Sequence, residues 1–334
     1  MTKRLAEVAK KAGVSEATVS RVLNGRSGVS EATRASVLTA LDVLGYERPT
    51  KLRGERGRLV GLVLPELQNP IFPALAEVVT ASLAQRGFTP ALCARTIGGV
   101  PERDYIEMLL DHQVSGVVFA GGSYALADAD HGHYQALTDR RMPVVMVNAG
   151  VGNLGFPHIS TDDAVAVEQA YGHLKSLGHR QVGMVMGPED HVPSRRKLAG
   201  LERIAGEAGG AWHVERTTFS MESARLAAAR LIERGVTGMI CASDVLALGS
   251  IRAARRLGLD VPADISVVGF DDSALMTCTD PPLTTVRQPI EMMGQAAVDL
   301  LVTQIDGSGV GPDELLFEPE LVVRGSTAPA PQRG

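Results

Sequence analysis

Apolar residues near the start of the chain recur at helical spacing. Leu5, Val8, Ala9 and Ala12 share one face, and Gly13 stops the run. Val19, Val22 and Leu23 form a second stripe that ends at Asn24-Gly25. Val37, Leu41 and Leu44 form a third, closed by Gly45. Ser15 and Ser30 stand just before the second and third stripes, where a hydroxyl can accept an orphan backbone N–H. The hexapeptide Gly-Val-Ser-Glu-Ala-Thr occurs at 13–18 and again at 28–33, which reads as one capping solution used twice. The pattern predicts three short helices over residues 1–45.

Residues 46–58 then break the periodicity with charge, Pro49, Gly54 and Gly57, the composition of a domain junction. Beyond it, short β-branched runs alternate with amphipathic stretches. The runs are Leu59–Leu64, Thr89–Cys93, Ser115–Ala120, Val144–Val147, Val182–Met186, Gly238–Ala242 and Ile265–Phe270. Helical spacing marks 102–112, 162–177, 220–234, 244–257 and 289–305. Such alternation implies parallel sheets covered by helices. The predicted fold class is α/β: two doubly wound lobes over 59–326, behind a small all-α headpiece. Ligands in such folds bind beyond the carboxyl ends of the strands.

Charge sharpens this division. Residues 1–58 hold 12 of the 33 Lys and Arg but only 6 of the 38 Asp and Glu, a net of +6, which leaves −11 for the remainder. A basic head on an acidic body is the asymmetry expected where one end meets phosphate. The apolar content, 45%, argues against a largely disordered chain. No apolar run approaches the ~18 residues of a spanning helix. The first residues lack the apolar stretch of a secretion signal, so a cytoplasmic, nucleoid-associated protein is expected. Cys93, Cys241 and Cys278 are odd in number, far apart and without Cys-x-x-Cys spacing, which gives no disulfide framework or zinc site. Neither Gly-x-x-x-x-Gly-Lys-Ser/Thr nor Gly-x-Ser-x-Gly is present, and the eight His are scattered. His131 and His133 read as part of a solvated loop. No enzyme activity, cofactor or metal is expected.

Two short helices joined by Ala12-Gly13-Val14-Ser15 suit a helix-turn-helix, with Gly permitting the turn and the second helix free to enter a major groove. Its outer face would carry Glu16, Ala17, Thr18, Ser20 and Arg21. Arg21 can donate two parallel bonds to a guanine edge, and Ala17 is small enough to touch a thymine methyl. Thr18, Ser20 and the helix start at Ser30 suit phosphates. A generic three-helix bundle with a solvated charged face fits the same spacing.

Residues 5–25, Leu-Ala-Glu-Val-Ala-Lys-Lys-Ala-Gly-Val-Ser-Glu-Ala-Thr-Val-Ser-Arg-Val-Leu-Asn-Gly, closely resemble the headpiece of the LacI/GalR family of bacterial repressors. The match continues through Val29–Arg34 to Leu44-Gly-Tyr46. In the body it is carried by Gly61-Leu-Val-Leu-Pro-Glu-Leu-Gln-Asn-Pro-Ile-Phe72, Pro143-Val-Val-Met-Val-Asn148, His173-Leu-x-x-Leu-Gly-His179, Ala242-Ser-Asp244, Asp264-Ile-Ser-Val-Val-Gly-Phe-Asp-Asp272 and Pro281-Pro-Leu-Thr-Thr-Val-Arg-Gln288. The Leu44–Pro49 junction, Glu66–Pro73 and Arg195-Arg-Lys197 are similar to the maltose- and α-glucoside-responsive branch of actinobacteria.

The resemblance implies a homodimeric repressor of sugar uptake or catabolism genes, binding pseudo-palindromic operator DNA under control of a small ligand. Its implied DNA-binding residues are Leu5, Ser15, Glu16, Ala17, Thr18, Ser20, Arg21, Asn24 and Ser30. In the linker, Leu52 would wedge a minor-groove step between Lys51 and Arg53. This linker is about three residues shorter than usual and lacks the familiar Asn and Ala-x-x-Leu. A linker whose leucine packs on the body is the other reading.

The implied core is periplasmic-binding-protein-like, with an N-lobe of about 59–157 and 284–326 and a C-lobe of about 158–283. Lobe crossings are expected near 158, 242–245 and 283–287, with a disordered tail over 327–334. The implied effector residues are Phe72, Asn148, Asp162, Arg196, Lys197, Phe219, Ser243, Asp271 and Gln288, a set that suits a polyol. Phe72 and Phe219 equally suit core positions, and Asp162 equally suits a helix cap. The body's fold also serves importer solute-binding proteins, which lack a basic head. Purine-responsive co-repressors share all but the pocket chemistry.

Overall fold

A computed structural model describes residues 2–23, 28–44, 58–96, 98–152, 154–208 and 211–332. Asn24, Lys51, Leu52 and Arg53, and with them the hinge reading, lie outside the described residues. The chain forms two compact units, 1–58 and 59–334.

In the first unit, α1 (Thr2–Ala12), α2 (Glu16–Leu23) and α3 (Glu31–Val43) enclose Val8, Ala9, Val19, Val22, Val37, Ala40 and Leu41. Gly13 adopts φ +69°, and the Val14 N–H returns to the Ala9 carbonyl at 3.1 Å, closing α1 with a left-handed cap. Ser15 Oγ accepts from the Thr18 N–H at 3.2 Å, and Ser30 Oγ accepts from the Thr33 N–H at the same distance. The repeated hexapeptide thus makes the same cap twice.

In the second unit, β1 (Arg58–Leu64), β2 (Phe88–Ala94), β3 (Gly116–Phe119), β4 (Val144–Val147) and β5 (His158–Thr161) join β11 (Glu314–Phe317) in one parallel sheet, ordered β11-β5-β4-β3-β1-β2. The other sheet runs β12-β10-β9-β8-β6-β7. It contains β6 (Gln181–Met186), β7 (Ala211–Arg216), β8 (Gly238–Cys241), β9 (Ser266–Asp271), β10 (Thr284–Arg287) and an antiparallel edge strand β12 (Glu320–Val322). In the N-lobe, α4 (Ile71–Gln85) and α11 (Ile290–Ile305) pack one sheet face through Leu75, Val79, Leu83, Met293, Ala297 and Leu301. The other face buries Ile106 and Leu109 of α5 (Glu102–Asp111) and Leu137 of α6 (Gln135–Asp139) with Tyr124 and Tyr134. The C-lobe has α7 (Asp163–Ser176), α8 (Val192–Ala208), α9 (Met221–Glu233) and α10 (Asp244–Arg256) around one continuous core.

The sheet membership corrects the expected lobe boundaries. β5 belongs to the N-lobe, whereas β10 and β12 belong to the C-lobe, so the chain crosses after Thr161 and after Arg287, within a few residues of two expected positions, and after Phe317, where none was expected. Residues 242–245 are no crossing; they join β8 to α10 within the C-lobe. Polar buried residues concealed the true positions. Ser160 donates to Glu314 at 2.6 Å, Thr161 to Gln288 at 2.8 Å and Thr285 to Asp244 at 2.6 Å. Such strands carry no hydrophobic alternation, because specific partners satisfy their hydroxyls.

The tail expectation is also corrected over 327–332, while Arg333 and Gly334 lie outside the described residues. The Ala330 N–H donates to the Leu177 carbonyl at 2.8 Å, and the Ala328 N–H to Ser266 Oγ at 3.0 Å. These two bonds tie the Pro-rich segment to the C-lobe.

Candidate functional site

Two surfaces collect the chemically distinctive residues. On the first unit, α2 buries Val19 and Val22 and turns Glu16, Ala17 and Arg21 to solvent. Thr18 and Ser20 are half-buried on its flank. Ser15 and Ser30 are exposed at the starts of α2 and α3, each already accepting the N–H it caps. Leu5 differs from the rest: it packs half-buried against the three-helix core.

On the second unit, a cavity of about 230 Å³ lies between the lobes, at the carboxyl ends of both sheets. Phe72, Asn148, Lys197, Phe219, Ser243, Asp271 and Gln288 all line it. The sheets explain this convergence. Asn148 follows β4 at φ +78°, and Asp271 ends β9 at φ +119°. Both lie in a backbone region that residues other than glycine rarely enter, and such strain persists only where surrounding structure enforces it.

Asp271 is the centre of a polar chain that joins the lobes. Thr161 of β5 donates to Gln288 Oε1 at 2.8 Å, Gln288 Nε2 donates to Asp271 Oδ1 at 2.7 Å, and Asn69 Nδ2 donates to Asp271 Oδ2 at 3.4 Å. Burial pushes the Asp271 carboxyl well above its ordinary range, and the neighbouring Asp244 adds to the rise. The Gln288, Lys197 and Asn69 contacts oppose it.

A second charged group faces the same cavity. Lys197 of α8 pairs with buried Asp163 at the start of α7, and its ammonium lies 3.8 Å from the centre of the Phe270 ring. Burial raises the Asp163 carboxyl, and the Lys197 charge opposes that rise. His191 is pushed down to about 3, by burial first and then by the Lys197 charge, so its ring is neutral. It is hydrogen-bonded with Ser194 Oγ at 2.8 Å and meets the Phe219 ring edge-on. Apolar walls come from Ile71, Phe72, Leu75, Phe219 and Met293.

Two expected members lie elsewhere. Asp162 caps α7, accepting from the Ala164 and Val165 N–H groups at 3.0 and 3.1 Å. Arg196 points to the lobe junction, where its guanidinium grips Glu314 of β11 with two bonds of 2.7 and 3.0 Å. Adjacent helix positions lie about 100° apart, so Lys197 can face the cavity while Arg196 faces β11. His131 and His133 are not parts of a solvated loop. His131 Nε2 lies 3.0 Å from the Ser123 and Leu126 carbonyls, and His133 Nε2 lies 3.2 Å from Glu102.

Sequence reading missed Asn69, Thr161, Asp163, His191 and Ser194, all of which line the cavity. Asn69 stood in a quoted motif, and Thr161 and Asp163 stood on either side of Asp162. The others lacked any local signal, since only the lobe arrangement brings them together.

The lining can take hydrogen bonds from a ligand at Asp271 and Asn148, give them from Lys197, Asn148 and Gln288, and place flat apolar faces against it. Pockets of this kind combine apolar walls with a few convergent polar groups. Among the described residues, no group of three or more His, Cys, Asp or Glu is arranged to hold a metal ion. No helix among them is long and apolar enough to cross a membrane.

Both units resemble known families. Residues 4–49 match the model for bacterial regulatory proteins of the lacI family, and residues 171–327 match a periplasmic binding protein-like domain. The chain is 51% identical to the HTH-type transcriptional regulator MalR of Streptomyces coelicolor, covering 100% of this chain and 99% of that protein. A complex of the transcriptional regulator CelR with cellobiose shares 32% identity at TM-score 0.72, over 96% of this chain and 99% of that one. The lac repressor dimer bound to operator and an anti-inducer shares 30% identity at TM-score 0.71, over 96% of this chain and 98% of that one.

Proposed function

The chain belongs to the lacI family of bacterial regulatory proteins, and from that premise we propose that it is a homodimeric, sugar-responsive repressor of transcription. The observation that carries this reading is the presence, in one chain, of an exposed helix-turn-helix face and an inter-lobe cavity bridged by Thr161, Gln288, Asp271 and Asn69. The named relatives are transcriptional regulators, which supports a protein that performs no catalysis and works in the cytoplasm.

Glu16, Ala17 and Arg21 read base edges, while Thr18, Ser20, Ser15 and Ser30 position the head on phosphates. Two heads, one from each subunit, read two half-sites. In the proposed two-state mechanism, the effector acts only through different affinities for two lobe arrangements. Asp271, Asn148, Gln288 and Lys197 bind its hydroxyls, and Phe72 and Phe219 face the C–H side of its ring. The bound sugar favours the arrangement that releases operator.

Calorimetric titration of the full-length protein with maltose, cellobiose, lactose, xylose and adenine tests this. Heat is expected with a sugar and none with adenine, and the sugar that binds should lower operator affinity at least tenfold in an anisotropy assay. Heat with adenine alone would overturn the sugar assignment. Sugar binding with no effect on operator would overturn the coupling.

A further inference from the structure

Glu102 is a buried carboxylate outside the cavity lining, only 4% exposed at the start of α5. Its Oε1 accepts from the Tyr134 hydroxyl and lies 3.2 Å from His133 Nε2. Its Oε2 accepts from the Ser123 N–H at 3.2 Å. Burial alone would raise this carboxyl, but the His133, Tyr134 and Ser123 contacts outweigh it and hold it below its ordinary range. Charge-assisted bonds of this type hold backbone more firmly than neutral ones.

The backbone they hold is the cavity wall. Gly121, Gly122, Ala125 and Leu126 line the cavity. Gly122 sits against Glu102 so closely that a Cβ there would collide with the carboxylate. Tyr134 Oη also accepts from the Tyr124 N–H at 3.1 Å, and Tyr124 Oη accepts from the Gly121 N–H at 2.7 Å. One buried carboxylate therefore holds the middle of a short arch, at Ser123 directly and at Tyr124 through Tyr134. The arch continues to the other lobe: the Ala127 N–H donates to the Asp190 carbonyl at 2.8 Å, and Leu126 bridges to His191, itself a cavity residue.

We propose that Glu102 is a positioning residue for the cleft: without touching a ligand, it holds Gly121–Ala127 where that arch walls the cavity and docks on the C-lobe at Asp190–His191, and so it sets how long a ligand stays bound. The inference rests on the reading of this cavity as the effector site.

The test uses the full-length protein with Glu102→Gln, Tyr134→Phe and, as a control, Glu107→Gln on the exposed face of the same helix. Hydrogen exchange is measured without sugar, and binding kinetics with the sugars of the calorimetric panel. Glu102→Gln should speed exchange at Ser123 and Ala127 at least tenfold while β8 and β9 stay protected. It should raise koff for the bound sugar at least tenfold with kon within twofold. Reduced folding would instead lower the binding-competent fraction and leave koff alone. Tyr134→Phe should give smaller changes of the same kind, and it decides the matter if Glu102→Gln does not fold. The control should match wild type.

Unchanged exchange at Ser123 and Ala127 would overturn the proposal, as would faster exchange with an unchanged koff. If wild type binds none of the sugars, the sugar assignment fails by itself. The exchange data then still decide whether Glu102 holds the arch.

Discussion

Asp271 and Asp272 are neighbours in sequence with opposite surroundings. Asp271 faces the cavity among amides, while Asp272 turns away to Arg287 at 2.8 Å and Arg324 at 2.6 Å. A third carboxylate, Asp244, lies behind them, fully buried, accepting from the Thr285 hydroxyl and the Ser273 N–H. Its pKa is pushed up to about 6, by burial first and also by the Asp272 charge, against those two bonds. The folded protein therefore holds this proton more tightly than the unfolded chain does. The associated stability is complete below the ordinary Asp range and is lost as pH rises through 6. Between pH 5 and 7 the loss from this group is about 1 kcal/mol. Urea titrations of wild type and Asp244→Asn at both pH values should show wild type's stability relative to the variant falling by that amount as pH rises. An equal difference at both values would contradict this assignment.

At the level of elements, the caps of α2 and α3 were legible because the physics is local. A hydroxyl three residues before an N–H closes the turn wherever the hexapeptide occurs. Ser15→Ala and Ser30→Ala should each cost about 1 kcal/mol of local stability. The expected readout is faster hydrogen exchange at Thr18 and Thr33 respectively, with the 59–334 unit unaffected. Exchange at wild-type rates would mean the caps contribute nothing. The central strands were legible for a related reason, since β1, β3, β4, β6, β8 and β9 are built around runs of apolar residues and glycine. β5 and β10 were not. Their Ser160, Thr161, Thr284 and Thr285 are as buried as any valine, but only distant partners make that burial tolerable.

For the whole molecule, charge divides along the same line as structure. The first 58 residues carry +6, and the remainder carries −11. Phosphate affinity is electrostatic and salt-dependent, so an acidic body contributes repulsion rather than binding. Isolated 59–334 should bind a sugar of the panel and dimerise, yet show no salt-dependent affinity for operator DNA between 50 and 200 mM salt. The full chain should show a steep dependence in the same anisotropy assay. A comparable salt slope for the isolated core would place phosphate contacts on the acidic body, against the proposed division of labour.

The sequence by itself determined the helical head, the alternating body, the charge division and the candidates Phe72, Asn148, Lys197, Phe219, Ser243, Asp271 and Gln288. The head, the body and the charge division follow from neighbours within a few positions, whereas the candidates follow from the resemblance to the LacI/GalR family. The tertiary structure decided which of two adjacent residues faces the cavity: Asp163 rather than Asp162, and Lys197 rather than Arg196. It also decided where the chain crosses between lobes and that Glu102 stands behind the Gly121–Ala127 arch. A helix rotates its face by about 100° per residue, and strand pairing joins segments more than a hundred positions apart. Neither the phase of the one nor the partner of the other is encoded in local spacing.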